Sequence, residues 1–290
     1  MFTPEIPRKY QGTTNDQTMC TPVSNHKFAD LGCPPRIWAI PAIHGSLDAL
    51  MTIHDMIYNE FRPGDYLLYL GNYMGYGPDS VGVIDEVLTF RRMLLAVPGV
   101  FPEDLVYLRG QQEEMLSKLL QLQFAPKARK VLEWMLDNGL SATMESYDID
   151  IERGLRASME GVTGLGCWTK TVGEKIKKHE GHDIFRSHLK RAAYTDMSAG
   201  HPLLFVHAGL EPHKALSIQG DSFWWAGHDF RAIEKPYRPF ERVIRGYDPT
   251  HQGMYINGVT ATLDNGCGFG GDLVFACIDG QNGELEVLAA

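Results

Sequence analysis

The sequence has few cysteines, and none of them has the spacing that metal sites or redox pairs use. Its five cysteines stand at positions 20, 33, 167, 267 and 277 of 290, and no two form a C-x-x-C pair. An odd, scattered set predicts neither a disulfide framework nor a zinc knuckle. We therefore expect reduced thiols and a cytoplasmic protein.

Long apolar runs and an excess of positive charge are also lacking. Nowhere do about 18 apolar residues follow one another, so no membrane span is predicted. Residues 1–10 carry prolines and charges rather than the apolar segment of a signal peptide. The formal net charge is -9, whereas a nucleic-acid binder needs a basic footprint. We expect neither membrane insertion nor nucleic-acid binding.

Two glycine-rich stretches lack the context that their motifs require. Residues 268–271 do not open a helix after a strand, so they do not predict a dinucleotide site. Residues 279–284 lack the oxygen spacing and the flanking helices of a calcium loop. They predict a hairpin turn instead.

Strands and helices alternate in the first third of the chain. Apolar runs at 36–40, 66–70 and 105–108 predict strands, and helical periodicity fills 47–61 and 79–96. This order predicts an α/β fold with a layered sheet flanked by helices. The loops at the carboxyl ends of such strands meet at one edge, where ligands bind.

The rest of the chain predicts one domain, 36–290, without a linker or an internal repeat. It has a helical insert at about 113–199, a strand at 203–206 and a β-rich C-terminal part from 242 on. Residues 1–35 are polar and irregular, and could be either a disordered tail or a strap that docks on a partner or on the domain. The lysines within 161–181 are typical of a solvated helix face.

Six short loop segments occur in a defined order along the chain. They read AIHG at 42–45, GNYMGYGPDS at 71–80, LRGQQE at 108–113, FVHAGL at 205–210, RGYDP at 245–249 and DNGCG at 264–268. In order and spacing they resemble the motifs of the calcineurin-like metallophosphoesterases, in the bacterial branch that contains serine/threonine phosphatases and diadenosine tetraphosphatases. The resemblance implies a metallophosphoesterase-type β-sandwich, flanked by helices, that normally holds two metal ions.

The resemblance also implies which positions would hold those ions. The first metal would use Ala42, His44 and Asn72, and the second would use Asn72, Gln111, His207 and Tyr247. Only His44 and His207 keep the family's ligand type. A two-metal centre needs a bridging carboxylate between its like-charged ions, and Asn72 offers an uncharged amide there.

The positions that correspond to the family's general acid, its partner and its phosphate-binding arginines also lack the expected side chains. The family's general acid corresponds to Gln112, which has no proton to exchange near neutral pH. The partner of that acid corresponds to Gly75, and the two phosphate-gripping arginines correspond to Tyr76 and Gly227. We therefore predict no catalytic residue and no resident metal, and expect His44 and His207 to be hydrogen-bonded residues of a remodelled cleft.

Three functions follow as hypotheses. The first is a pseudophosphatase that binds a protein partner through the arm, the segment 161–181 or the cleft, with Trp168, Trp224 and Trp225 as candidate contact residues. The second is a weak phosphoesterase that uses one Mn²⁺ or another divalent ion on His44, Asn72 and His207. The third is a small-molecule sensor whose open pocket is lined by Tyr76, Gln112 and Tyr247.

Overall fold

Two β-sheets with helices on their outer faces are formed by the described residues, 27–197 and 200–289, of the computed structural model. The strands are β1 (Phe28–Asp30), β2 (Arg36–Ile40), β3 (Tyr66–Tyr69), β4 (Leu105–Tyr107), β5 (Ala192–Tyr194), β6 (Leu203–Val206), β7 (Arg242–Arg245), β8 (Tyr255–Ile256), β9 (Thr260–Thr262), β10 (Val274–Asp279) and β11 (Leu285–Ala289). The helices are α1 (Leu47–Glu60), α2 (Ser80–Leu95), α3 (Gln111–Leu119), α4 (Ala128–Met135), α5 (Ser141–Ser146), α6 (Ile151–Ala157), α7 (Gly161–Lys177), α8 (His182–His188) and α9 (Ser222–Trp225).

The strand order explains where a site can form. One sheet runs β11-β10-β2-β3-β4 and the other β1-β5-β6-β7-β9-β8. Strands β2, β3 and β4 are mutually parallel, and so are β6, β7 and β9. The loops after each parallel set therefore leave from one edge of their sheet.

Side chains that alternate along the strands of the first sheet pack into two different hydrophobic cores, one between the sheets and one beneath the helices. In β2, Ile37 and Ala39 pack in the core between the two sheets, whereas Trp38 and Ile40 pack against the helices. Because successive residues of a strand point to opposite faces, a strand whose residues are all apolar can be buried on both faces. A third core lies outside the second sheet, where Phe223 and Trp224 cover β6 and β7.

The predicted α/β class and the layered β-sandwich with flanking helices are confirmed. Helices α1 and α2 and the hairpin of β10 and β11 also form where the sequence predicts them. None of the described helices is long and apolar enough to cross a bilayer.

The structure differs from the sequence-based prediction at two short strands. Phe28–Asp30, inside the stretch expected to be irregular, forms β1 and pairs in parallel with β5. The end of the predicted helical insert is likewise a strand, Ala192–Tyr194. Three-residue strands are too short for periodicity to reveal, and both depend on pairing with distant segments. The rest of the predicted arm, 1–26, lies outside the described residues.

Candidate functional site

The loops after β2, β3, β4, β6 and β7 meet in a cleft at the edge shared by the two sheets. The backbone N–H of Ala42 donates to the carbonyl of Gly246 at 2.9 Å, which joins the loop after β2 to the loop after β7. The structure brings together most of the residues that the sequence predicts for the cleft. We call this group of residues the cleft. It comprises Ala42, His44, Asn72, Gln112, His207 and Tyr247, which are all buried.

Two residues of the cleft have an unusual backbone. His44 and Asn72 have φ values of 53° and 56°, in the left-handed region. The carbonyl of Asn72 accepts from the backbone N–H groups of Ile43 and His44, at 2.9 and 2.8 Å. Non-glycine residues in this conformation concentrate at functional sites. The loops after β2 and β3 are thus held together through the backbone of these two residues.

Aromatic rings surround the imidazole of His44. Its centroid lies 5.4 Å from that of Tyr76, 5.5 Å from Tyr247 and 5.4 Å from Phe269, each edge to face. Burial lowers the pKa of His44 to about 3, and the neighbouring imidazoles of His207 and His251 act in the same direction. His44 is therefore neutral near pH 7, and its Nδ1 has no hydrogen-bond partner among the described residues.

His207 has a defined tautomer. Its Nδ1 lies 2.7 Å from the carbonyl oxygen of Leu70, which can only accept, so Nδ1 carries the proton. Its ring stacks on Tyr247 with an interplanar angle of 10° and a centroid distance of 5.4 Å. Burial lowers the pKa of His207 to about 4. The lone pair on Nε2 therefore stays free, and no described residue donates to it.

The amide side chains of Asn72 and Gln112 hydrogen-bond with the backbone, and that of Asn72 also with His44. The backbone N–H of Gln112 donates to Oδ1 of Asn72 at 3.0 Å, and Nδ2 of Asn72 lies 3.4 Å from Nε2 of His44. The side chain of Gln112 donates to the carbonyl of Asn138 at 2.8 Å. Gln111 is the first residue of α3 and is half-buried. The oxygen of Asn72 that could face an ion is thus already an acceptor.

Two glycines stand where side chains would collide with the present cleft. A Cβ at Gly75 would lie 2.5 Å from Nδ1 of His44. A Cβ at Gly227 would lie 2.4 Å from the carbonyl oxygen of Ala208 and 3.1 Å from Nη1 of Arg245. Both glycines also have positive φ values, 139° and 117°. The carboxylate and the guanidinium that the resemblance implies at these positions do not fit this packing.

Beneath the cleft lies a buried charged residue, Arg245, that the loop motifs did not point to. Although it is only 1 % exposed, it donates to the carbonyl of Gly227 at 2.7 Å and to Oγ1 of Thr262 at 2.8 Å. Its Nη2 also pairs with Asp248 at 3.0 Å. Burial lowers the pKa of Arg245 to about 10, which leaves it charged at neutral pH. A charged residue at the end of the buried run Val243-Ile244 was the signal available in the sequence.

The residues present do not fit a two-metal centre. Ala42 has no ligand atom, and its methyl group packs with Ala208 and Tyr247. The nearby carboxylates already accept from backbone N–H groups: Glu113 from Asn72, Tyr73 and Gly110, Asp248 from Thr250, and Asp264 from Asp248 and Gly266. Two dipositive ions would therefore face imidazoles and amides without a carboxylate to offset their charge.

Comparison with solved structures identifies the fold. The chain superposes on the crystal structure of a candidate diadenosine tetraphosphatase with a TM-score of 0.52 at 18% identity, over 92% of this chain and 99% of that one. It superposes on a cold-active protein-tyrosine phosphatase of a psychrophilic Shewanella species with a TM-score of 0.54 at 10% identity, over 90% and 82% of the two chains. No protein-family model and no curated protein matches the sequence. The chain thus has the fold of the calcineurin-like metallophosphoesterases.

Proposed function

We propose that this chain is a pseudophosphatase, a catalytically degenerate protein of the metallophosphoesterase fold that binds a protein partner. The observation that carries the proposal is the aromatic packing around His44. Tyr76, Tyr247 and Phe269 place their rings about the imidazole that the resemblance assigns to the first metal. A cleft packed in this way favours recognition over hydrolysis.

An apolar rim beside the cleft is the surface that we propose contacts a protein partner. We define this rim as Phe269 together with Met254, Tyr255 and Ile256, and all four side chains are between 38% and 43% exposed. Tyr255 pairs with Thr262, the last residue of β9, and the loop that carries Phe269 follows β9. Phe269 connects the rim to the cleft, since its ring lies 4.4 Å from Tyr76. Exposed aromatic and methionine side chains are enriched in protein interfaces.

Two of the three tryptophans that the sequence offered as candidate contact residues do not lie on the surface. Trp168 and Trp224 are buried, contrary to the expectation that they contact a partner. Trp168 donates from Nε1 to the carbonyl of Asp150, and Trp224 donates to that of Arg109. Since the chain carries a net charge of -9, we expect the partner to present apolar side chains flanked by basic ones.

A second candidate function has one observation in its favour. Nε2 of His207 is buried, has a free lone pair because Nδ1 carries the proton, and has no partner among the described residues. Nε2 of His44 is also an acceptor, since the Nδ2 amide group of Asn72, at 3.4 Å, can only donate. A weak phosphoesterase with one divalent ion would use both nitrogens together with Asn72. Its ligand atoms would have to converge to about 2.0–2.6 Å from one point. The sensor hypothesis has less support, because Tyr76 and Tyr247 pack on His44 instead of leaving a pocket open.

Site-specific cross-linking tests the proposed partner surface. A photo-reactive amino acid replaces Phe269 in the full chain, and the chain is illuminated in extract of its own cells. The matched control carries the same group at Phe124, which is 76% exposed and lies in another part of the surface. The proposal predicts a discrete adduct at 269 that excess unlabelled protein removes and that is absent at 124. Identical adduct patterns at the two positions, or none at 269, would contradict it.

A further inference from the structure

A second cluster of ligand-type side chains lies outside the cleft, where α2 meets the connection between α7 and α8. Asp85 lies on α2, His179 follows α7, and His182 begins α8. One ligand atom from each residue lies within 4.8 Å of the other two. Within the ranges that the structure describes, this is the group of three that could hold a metal ion. The cluster shares no residue with the cleft.

His182 is oriented through both ring nitrogens. Its side chain is fully buried, with Nε2 at 3.0 Å from Oδ1 of Asp85 and Nδ1 at 2.7 Å from the hydroxyl of Tyr147. A hydroxyl can either donate or accept. In the arrangement described, the carboxylate of Asp85 can only accept, so Nε2 of His182 carries the proton and the hydroxyl of Tyr147 donates to Nδ1. An ion would displace the proton from Nε2, and Tyr147 would then accept from Nδ1–H. Histidine ligands of metals characteristically have such a partner on the other nitrogen.

The spacing is close to that of a coordination sphere. Ligand atoms at about 2.0–2.2 Å from a zinc ion and at tetrahedral angles lie about 3.2–3.6 Å apart, and the pair of His182 and Asp85 is already at 3.0 Å. Closing the sphere would require the side chain of His179 to rotate toward the other two ligands, and this residue is half-buried and follows the end of α7. Its ring lies 5.2 Å from that of His182, tilted by 31°.

The donor set selects the class of ion. Two imidazoles and one carboxylate suit zinc and its neighbours in the first transition series better than Mg²⁺ or Ca²⁺, which prefer oxygen ligands. The Asp85 side chain is 58% exposed, so ions can enter from solvent and water can complete the sphere. Asp183, beside His182, adds a further negative charge nearby.

We propose that Asp85, His179 and His182 bind one divalent transition-metal ion, zinc first, which ties the α7–α8 connection to α2. Tyr147 is a positioning residue that holds the His182 ring. The ion stabilises the helical layer because it binds the folded arrangement, in which residues 85 and 179 meet, and not the unfolded chain. This proposal is independent of the function of the cleft.

Calorimetric titration with Zn²⁺ tests the proposal on the full chain after chelator treatment. We expect one equivalent to bind at this cluster and the melting temperature to rise with zinc. His179→Ala and Asp85→Asn should each weaken the affinity at least about tenfold, as should Tyr147→Phe through the ring it positions. His188→Ala removes an exposed histidine of α8 outside the cluster and should change nothing.

Two further measurements show whether the zinc ion binds at this cluster or in the cleft. His207→Ala should leave the zinc affinity unchanged, which separates this cluster from the cleft. Co²⁺ in place of zinc should give visible absorption bands that His179→Ala removes. Circular dichroism checks that the variants fold, and Asp85→Asn, at an exposed position, provides a variant whose fold is undisturbed. A wild-type chain that binds no zinc, or one whose affinity survives both His179→Ala and Asp85→Asn, would overturn the proposal.

Discussion

The imidazole of His44 occupies the space that a side chain at position 75 would need. A Cβ on Gly75 would stand 2.5 Å from Nδ1 of His44 and 3.1 Å from Cγ of Gln112. In the resemblance to phosphatases, position 75 carries a carboxylate and position 112 its histidine partner. The present position of the His44 ring therefore requires a glycine at position 75.

Gly75→Ala should destabilise the fold by about 2–4 kcal/mol, because overpacking adds to the strain of a positive φ. The matched control is Gly253→Ala. Gly253 also has a positive φ, 79°, but a Cβ there would meet nothing within 4 Å. Urea unfolding of both variants measures the difference. Equal losses of stability in the two variants would mean that His44 does not fill the space beside Gly75.

The buried guanidinium of Arg245 should be the most sensitive single side chain beneath the cleft. Arg245→Ala leaves the carbonyl of Ala208 without its donor and Asp248 without its nearest cation. The carbonyl of Gly227 keeps only the backbone N–H of Phe230, at 3.2 Å. Removing one member of a buried pair costs about 3–5 kcal/mol. We expect a loss of that size in denaturant unfolding.

The control for this prediction is an arginine whose ion pair faces solvent. Arg129 pairs with Glu133 at 2.8 Å, and their side chains are 49% and 46% exposed. Arg129→Ala should cost under about 1 kcal/mol. If Arg245→Ala were as mild as Arg129→Ala, Arg245 would not hold the loops of the cleft together.

The two cleft histidines should make the protein sensitive to mild acid. Burial holds the pKa of His44 near 3 and that of His207 near 4, against 6.5 for a free histidine. Below pH 6.5 the unfolded chain binds protons that the folded chain does not, so stability is complete above pH 6.5 and falls as the pH drops toward 4. Each group contributes a slope of up to about 1.4 kcal/mol per pH unit in that window.

Unfolding free energies measured between pH 7.5 and 4.5 check this slope. Burial also lowers the pKa of His54 and of His182, which add to the same trend. His207→Gln should flatten the slope, whereas His213→Gln, at an exposed position, should not. A slope unchanged by His207→Gln would show that His207 is not held neutral in the fold.

The parts of the fold that could be predicted are those with a local signal. Strands β2, β3 and β4 are continuous apolar runs, and α1 and α2 have helical periodicity between clear breaking residues. Strands β1 and β5 have three residues each, and they depend on pairing with each other and with β6 and on packing against distant side chains such as Phe223. No local pattern records such pairing, so it could not be read from the sequence.

In the candidate site, too, the residues with a sequence motif could be predicted and those that depend on tertiary packing could not. The order of the loop motifs predicted which residues meet, and His44, Asn72, His207 and Tyr247 do meet. The role of Phe269 and the burial of Arg245 depend on how the loops after β7 and β9 fold over His44, which spacing alone does not give. The cluster of Asp85 and His182 joins positions 97 residues apart and has no motif in the sequence.

We propose that the cleft does not form a metal-dependent hydrolytic centre. The most direct measurement is hydrolysis of an aryl phosphate and of a dinucleoside polyphosphate with added Mn²⁺, together with the bound metal counted by mass spectrometry. Wild type, His207→Ala and His179→Ala are compared side by side, since the last of these affects only the cluster outside the cleft. We predict no turnover by wild type above His207→Ala, and no bound ion that His207→Ala removes. Turnover by wild type and His179→Ala that disappears in His207→Ala, with the loss of one equivalent of metal, would contradict the account.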